Sequence, residues 1–146
     1  LIKFRTMHAK EVDNEDPQIT IGNDRRITPI GFYLRAWKLD ELPQLWNVLI
    51  GDMSIVGPRP EVPRYVASYS QSQRQVILSV RPGITDPSSI YFRHESDVLA
   101  KSGDPERYYL DIILPQKLEI SANYINNRTI FSDFLIIFKT IAAIIR

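Results

Sequence analysis

Ten prolines spread through 146 residues limit this chain to short helices joined by stiff turns. Proline lacks an N–H and fixes φ, so it suits the first turn of a helix and disrupts its interior. Thr28-Pro29 predicts a helix with an N-cap hydroxyl and a proline at its first position. That helix would run to about Trp37, with Ile30, Tyr33 and Leu34 on one side and Arg35 at its end. Asp40 opens the clearest periodic stretch: Leu42, Leu45, Trp46 and Leu49 recur at helical spacing, Pro43 lies early, and Gly51 marks the end. A further helix is expected over Val62 to Ser79. Another should run from Asp104-Pro105-Glu106 to about Asn126, kinked or interrupted at Pro115.

Strand signals are few. Leu1 to Met7 alternates apolar with polar residues and predicts a short strand, and Met53 to Val56 is short and apolar. Ala9 to Asp24 is acidic and turn-rich and reads as a solvated loop. Gly57-Pro58-Arg59-Pro60 turns the chain sharply, and Val80 to Pro87 reads as a rigid loop. Ser132 to Arg146 is apolar on nearly every side, which predicts a helix that is either buried or laid on a membrane surface. The expected fold is a compact domain, α/β to mostly α, of short helices with a small strand element.

Composition excludes several chemistries. With no cysteine and two histidines, His8 and His94, the chain cannot build a zinc-thiolate site, a cysteine nucleophile or a multi-histidine metal centre. Any metal should be a hard ion held by oxygen. A net charge of +1 gives no basic stripe for nucleic acid. The opening at Leu1 resembles the inside of an element, so the sequence is read as a fragment or processed product, a single domain over 1–146 truncated at its N-terminus.

Three groups of residues could carry chemistry. Asp40 and Glu41 are adjacent acids at a helix start. Asp40 can be read as a simple cap, or as a carboxylate kept ionised to attack phosphorus while Glu41 holds a divalent ion. Arg59 and Arg81 each sit in a proline-stiffened turn, where a guanidinium can grip phosphate oxygens bidentately. With Lys3 and Arg5 they would make a phosphate cradle if they converged. No P-loop or GxGxxG is present. Tyr65, Tyr69, Tyr91, Phe92, Tyr108 and Tyr109 are most simply core residues and receive no role.

The order of these blocks resembles the bacterial sugar transferases, the monotopic polyprenyl-phosphate phosphoglycosyl transferases. The resemblance is carried by Lys3-Phe4-Arg5-Thr6-Met7, Asp24 to Thr28 with Gly31, Leu34 and Arg35, and Leu39-Asp40-Glu41-Leu42-Pro43-Gln44-Leu45 with Asn47-Val48-Leu49. Gly51-Asp52-Met53-Ser54, Val56-Gly57-Pro58-Arg59-Pro60 and Val80-Arg81-Pro82-Gly83-Ile84-Thr85 complete it. These blocks end near Thr85, and 86–146 reads as a C-terminal extension of the same domain.

The resemblance implies a ping-pong reaction at the cytoplasmic face of the bacterial inner membrane. Asp40 would attack the sugar-bearing phosphate of a UDP-sugar and release UMP, and the phospho-sugar would pass to a polyprenyl phosphate, undecaprenyl phosphate. Glu41 would place Mg2+, and Lys3, Arg5, Arg35, Arg59 and Arg81 would bind substrate phosphate. It also implies membrane lipid as a partner, a monotopic attachment through a re-entrant helix preceding the Lys3 block, and a possible homo-oligomer. Asp86-Pro87-Ser88-Ser89 departs from the Gly-Trp-Ala-Gln-like stretch of many members and resembles a different branch. The rival expectation is a catalytically silent interaction or scaffold domain at the membrane surface.

Overall fold

The computed structural model describes residues 1–8, 19–21 and 24–145. Among these, the helices are α1 (Pro29–Ala36), α2 (Gln44–Leu49), α3 (Pro63–Val66), α4 (Gln71–Ile77), α5 (Pro87–Tyr91), α6 (Glu95–Ala100), α7 (Pro105–Tyr108), α8 (Leu114–Asn127) and α9 (Ile130–Ile145). A 3-10 turn covers Leu39–Glu41 and a π turn covers Tyr109–Ile113. The strands β1 (Ser54–Val56) and β2 (Gly83–Thr85) form one parallel pair. The fold is mostly α with a minimal sheet.

A first-turn proline begins α1, α3, α5, α7 and α8, and in α1, α5 and α7 a capping side chain precedes it. Thr28 accepts from the Gly31 N–H at 2.9 Å, and Asp86 and Asp104 accept in the same way from Ser89 and Arg107. Each such cap stabilises its helix by about 1 kcal/mol. The single helix expected over Val62 to Ser79 is instead two, α3 and α4. Ser70 breaks it: its hydroxyl accepts from the Gln73 N–H while the Gln73 side chain accepts from the Ser70 N–H. Two reciprocal bonds at Ser70 outcompete continuation of the helix.

Pro115 is accommodated by widening the helix. One residue before it, the Leu114 N–H reaches back to the Tyr109 carbonyl, and the π turn this closes leads directly into α8.

Two further expectations need correction. Leu1 to Met7 is not a strand; it is extended, with one antiparallel bridge between Met7 and Ile27. Its N–H groups are spread over different partners, Phe4 on Asp40 and His8 on Arg26, rather than along one strand. The solvated loop expected over Ala9 to Asp24 lies outside the described residues except at 19–21 and 24. There, Ile19 is buried in the core.

The main core gathers Tyr65, Tyr69 and Ile77 from α3, α4 and their junction with Leu99, Tyr109, Ile113, Leu114 and Leu118. Residues beyond Thr85 therefore supply much of the packing. A smaller cluster joins Val56 of β1 to Tyr124 and Ile136 of α8 and α9.

Helix α9 is neither wholly buried nor free. Its docked side carries Ile136, the Thr140 hydroxyl 2.6 Å from that of Thr85, and Asp133, which accepts from the Tyr124 hydroxyl at 2.6 Å. Its other side exposes Phe131, Phe134, Leu135, Phe138 and Ile141. No helix of the described residues is long and apolar enough to cross a membrane.

The parallel pair brings the two proline turns together. Ser54 N–H bonds the Pro82 carbonyl at 2.8 Å, Gly57 N–H bonds Thr85 at 3.0 Å, and Gly83 N–H bonds Pro58 at 3.0 Å. Gly57 and Gly83 touch backbone to backbone. A Cβ placed on Gly83 would lie 2.1 Å from the Gly57 nitrogen and 2.6 Å from its Cα. Neither neighbour is a flexible side chain that could yield. Gly83→Ala is expected to destabilise by about 3 kcal/mol or more, at the upper end of overpacking effects. Gly103→Ala, with nothing within 4 Å of the new methyl, should stay within about 0.5 kcal/mol of the parent. Urea unfolding of both variants checks the pair.

Candidate active site

The site forms where α1 ends. Lys38 follows the helix in a left-handed conformation, φ 55° and ψ 20°, at a place where glycine is usual. Holding a lysine there costs on the order of 1 kcal/mol. The reversal feeds the 3-10 turn, which turns both acids inward: Asp40 is 9% exposed and Glu41 is 7% exposed. The expectation of Asp40 as a helix cap is overturned, because no side-chain capping bond forms here. The following α2 is shorter than expected and begins at Gln44.

Helix α2 is also turned the other way round from its sequence pattern. Leu42, Leu45, Trp46 and Leu49 face outward, while Gln44 and Asn47 are buried. Asn47 explains the orientation. Its side-chain oxygen accepts from the Ile2 N–H at 3.0 Å, and its carbonyl accepts from Asp52 and Met53 at 2.9 and 3.1 Å. Burying the Asn47 amide on the Ile2 N–H, with its backbone carbonyl bonded to Asp52 and Met53, sets this face inward and leaves the leucines outside.

Glu41 is the hub of the charges. Arg59 donates to its Oε1 at 2.7 Å and Lys3 donates to the same oxygen at 3.2 Å. Burial alone would raise the Glu41 pKa. The Arg59 charge and hydrogen bond, then those of Lys3, outweigh it and lower the pKa to about 2. Lys3 and Arg59 keep 38% and 36% of their side chains exposed, enough to reach a ligand while holding Glu41. Lys38 lies within electrostatic range of Arg59, Glu41, Asp40 and Lys3. Beside this hub, Asp40 Oδ1 is buried without a hydrogen-bond partner among the described residues.

The remaining arginines stand apart from Glu41. Arg35 donates to the hydroxyls of Thr6 and Thr20 at 2.8 and 3.1 Å, bracing the first segment against α1. Arg5 is exposed and makes no ion pair among the described residues. Arg81 is exposed over Gly51, where a Cβ would come 3.7 Å from its guanidinium. Gly51 has φ 88°, so glycine is required there by the backbone as well. The sequence reading missed Lys38 and Glu61, and it named Asn47 within a family block without giving it a role.

A carboxylate held ionised by a guanidinium and an ammonium, beside a second carboxylate with a buried oxygen left unpaired, suits the handling of phosphate esters. The sequence model of the bacterial sugar transferase family matches residues 1–146, and the chain belongs to that family. It is 38% identical over 146 residues to a UDP-glucose:undecaprenyl-phosphate glucose-1-phosphate transferase of Klebsiella pneumoniae, covering 95% of this chain and 28% of that protein. An undecaprenyl-phosphate galactose phosphotransferase of Salmonella typhimurium is 36% identical over 158 residues, covering 99% and 30%. The exopolysaccharide production protein ExoY of Rhizobium meliloti is 34% identical over 157 residues, covering 98% and 62%. The chain thus spans under a third of the first two relatives.

The Glu41 shift fixes a pH dependence. Its folded pKa of about 2 lies below the ordinary 4.5, so the stabilisation from ionised Glu41 is complete above about pH 4.5 and is lost as pH falls through 2. The shift corresponds to roughly 3 kcal/mol at most, since both partners are partly solvated. The stability difference between the parent and Glu41→Gln should therefore shrink between pH 5 and pH 2, about the span of the shift. Denaturant titrations at those pH values test it; an unchanged difference would show that Glu41 is not held ionised.

Proposed function

We propose that this chain is the catalytic part of an enzyme that moves a sugar-1-phosphate from a UDP-sugar to undecaprenyl phosphate through a covalent intermediate on Asp40. The observation that carries the reading is the buried, unpaired Oδ1 of Asp40 beside the ionised Glu41 hub. A buried carboxylate oxygen without a donor is unfavourable unless a ligand meets it, and a carboxylate stripped of donors is a better nucleophile. The printed names of the relatives supply the substrate class.

In the first half-reaction an Asp40 oxygen bonds the sugar-bearing phosphorus, and the bond from that phosphorus to the UMP oxygen breaks. UMP leaves with the electron pair. In the second, an oxygen of undecaprenyl phosphate bonds the same phosphorus, and the acyl-phosphate bond breaks to regenerate the Asp40 carboxylate. Arg59, with Lys3 behind it, faces the negative charge that spreads over the phosphoryl oxygens.

The adjacent Asp40 and Glu41 fit magnesium, which takes one or two carboxylates and completes its shell with water and substrate phosphates. No larger cluster of acids and histidines exists among the described residues. When bound, magnesium supplies charge neutralisation for the diphosphate.

A lipid acceptor requires the site to lie at a membrane, here the cytoplasmic face of the inner membrane. The outward leucines and tryptophan of α2 and the outward phenylalanines of α9 support that reading, because exposed apolar helix faces of this extent mark interaction surfaces.

In full-length protein, Asp40→Asn should abolish UMP release from every member of a UDP-sugar panel. Intact-mass analysis with donor alone should find a phospho-sugar adduct on the parent and none on the variant. Turnover by the variant within tenfold of the parent, roughly 1.4 kcal/mol, would sink the assignment. For the membrane surface, Phe134→Glu with Phe138→Glu should release the protein from anionic liposomes while its unfolding transition stays in place. Ile136→Glu, on the docked side, should unfold it, as a buried unpaired charge does.

A further inference from the structure

Beneath the Arg59 turn lies a set of buried charges that the proposed reaction does not use. Glu61 turns its side chain inward, with 14% exposed, and its Oε1 accepts from the Tyr109 hydroxyl at 2.6 Å. Lys117, 12% exposed, lies 4.0 Å from that same oxygen, 2.5 Å from Glu95 Oε2, and 4.9 Å from the centre of the Tyr109 ring. Signs alternate along the set: Lys3, Glu41, Arg59, Glu61, Lys117, Glu95. A cavity of about 10 Å³, lined in part by Pro58, Arg59, Glu61, Lys117 and Ser121, has room for about one water among them.

A network of this kind is a poor way to gain stability. Burying paired charges roughly breaks even at best, and apolar side chains of the same volume would serve the core as well or better. What the network does provide is a fixed geometry. The turn that carries Arg59 is held at one end by the Gly83 N–H on the Pro58 carbonyl and at the other by Glu61 on Tyr109. Pro58 and Pro60 stiffen the backbone between these two points. Tyr109 reaches the carboxylate from the π turn, the one place where this long helical run leaves α geometry. Widened turns of this kind recur at functional sites.

We propose that Glu61, anchored by Tyr109 and Lys117, is a positioning residue that fixes the Arg59 turn from below and so aims the guanidinium at Glu41 and the substrate phosphate. The proposal rests on the functional reading above, and it makes the helices after Thr85 part of the catalytic machinery. Guanidinium placement matters because displacements of about 1 Å can lower a rate by 100-fold.

The test is a double-mutant cycle in the full-length protein, following UMP release and thermal midpoint together. Tyr109→Phe removes one hydroxyl and nothing else; it should lower kcat by roughly 10-fold or more. In an Arg59→Lys background, already impaired, the same change should have less than a twofold further effect. Its effect on the thermal midpoint should be equal in both backgrounds. Equal fold-losses of activity in the two backgrounds would overturn the proposal, because a merely structural role acts regardless of what stands at position 59. Where Tyr109→Phe folds poorly, Lys117→Met is carried through the same cycle.

Should the parent release no UMP from any UDP-sugar, the functional reading fails on that result alone. The positioning claim is then decided by nuclear magnetic resonance. The Arg59 Nε–H signal, identified by its loss in Arg59→Lys, should shift or broaden in Tyr109→Phe. An unmoved signal would overturn the claim.

Discussion

The contact between the Gly57 and Gly83 backbones is the constraint on which the rest depends. It lets two three-residue strands lie close enough to pair, and a pair that short has little stability of its own. With the pair in place, two proline turns separated by a helical crossover are joined backbone to backbone, the Gly83 N–H donating to the Pro58 carbonyl. Arg59 reaches Glu41 because its turn is suspended from β1, and Arg81 lies over Gly51 because its turn leads into β2. A side chain at either glycine would push these turns apart before it disturbed any other contact.

The electrostatics follow from where that turn places Arg59. Three charged groups share one partly buried spot, and the guanidinium and the ammonium outvote the cost of burying Glu41. Burial would depress the Arg59 pKa, but Glu41, then Glu61 and Asp86, hold its charge in place. The result is a carboxylate that stays ionised and cannot drift, next to an Asp40 whose Oδ1 is left without a donor. One acid has two cations on a single oxygen, and the other has a buried oxygen with no donor. That asymmetry, between neighbours in the chain, gives the two carboxylates different environments.

The sequence was most legible where local chemistry decides structure. Thr28 and Pro29 begin α1 as capping rules require, and Asp104 with Pro105 begins α7. The split at Ser70 is local too, but its Ser70-Gln71-Ser72-Gln73 capping pattern lies inside an otherwise acceptable helix. Faces were harder. Leucine periodicity located α2, yet it could not say which way the helix turns, because the deciding contacts are made by Asn47 with residues as distant as Ile2. Arg59 and Glu41 were each named from motif order but not as partners, and Arg35, in the same family blocks, is committed to Thr6 and Thr20. Tyr109 looked like one more core aromatic, since nothing local marks a hydroxyl whose partner is 48 residues away.

Because α2 wears its leucines outside, the usual rule for which substitutions a helix tolerates is reversed in it. Along most helices the polar positions drift freely and the apolar ones are held by folding. Here Gln44 and Asn47 are the positions that folding holds. Leu45 and Leu49 can each become polar with little effect on the fold, and what changes is the apolar surface the helix exposes. Stability and surface character are therefore set on opposite sides of the same six-residue helix.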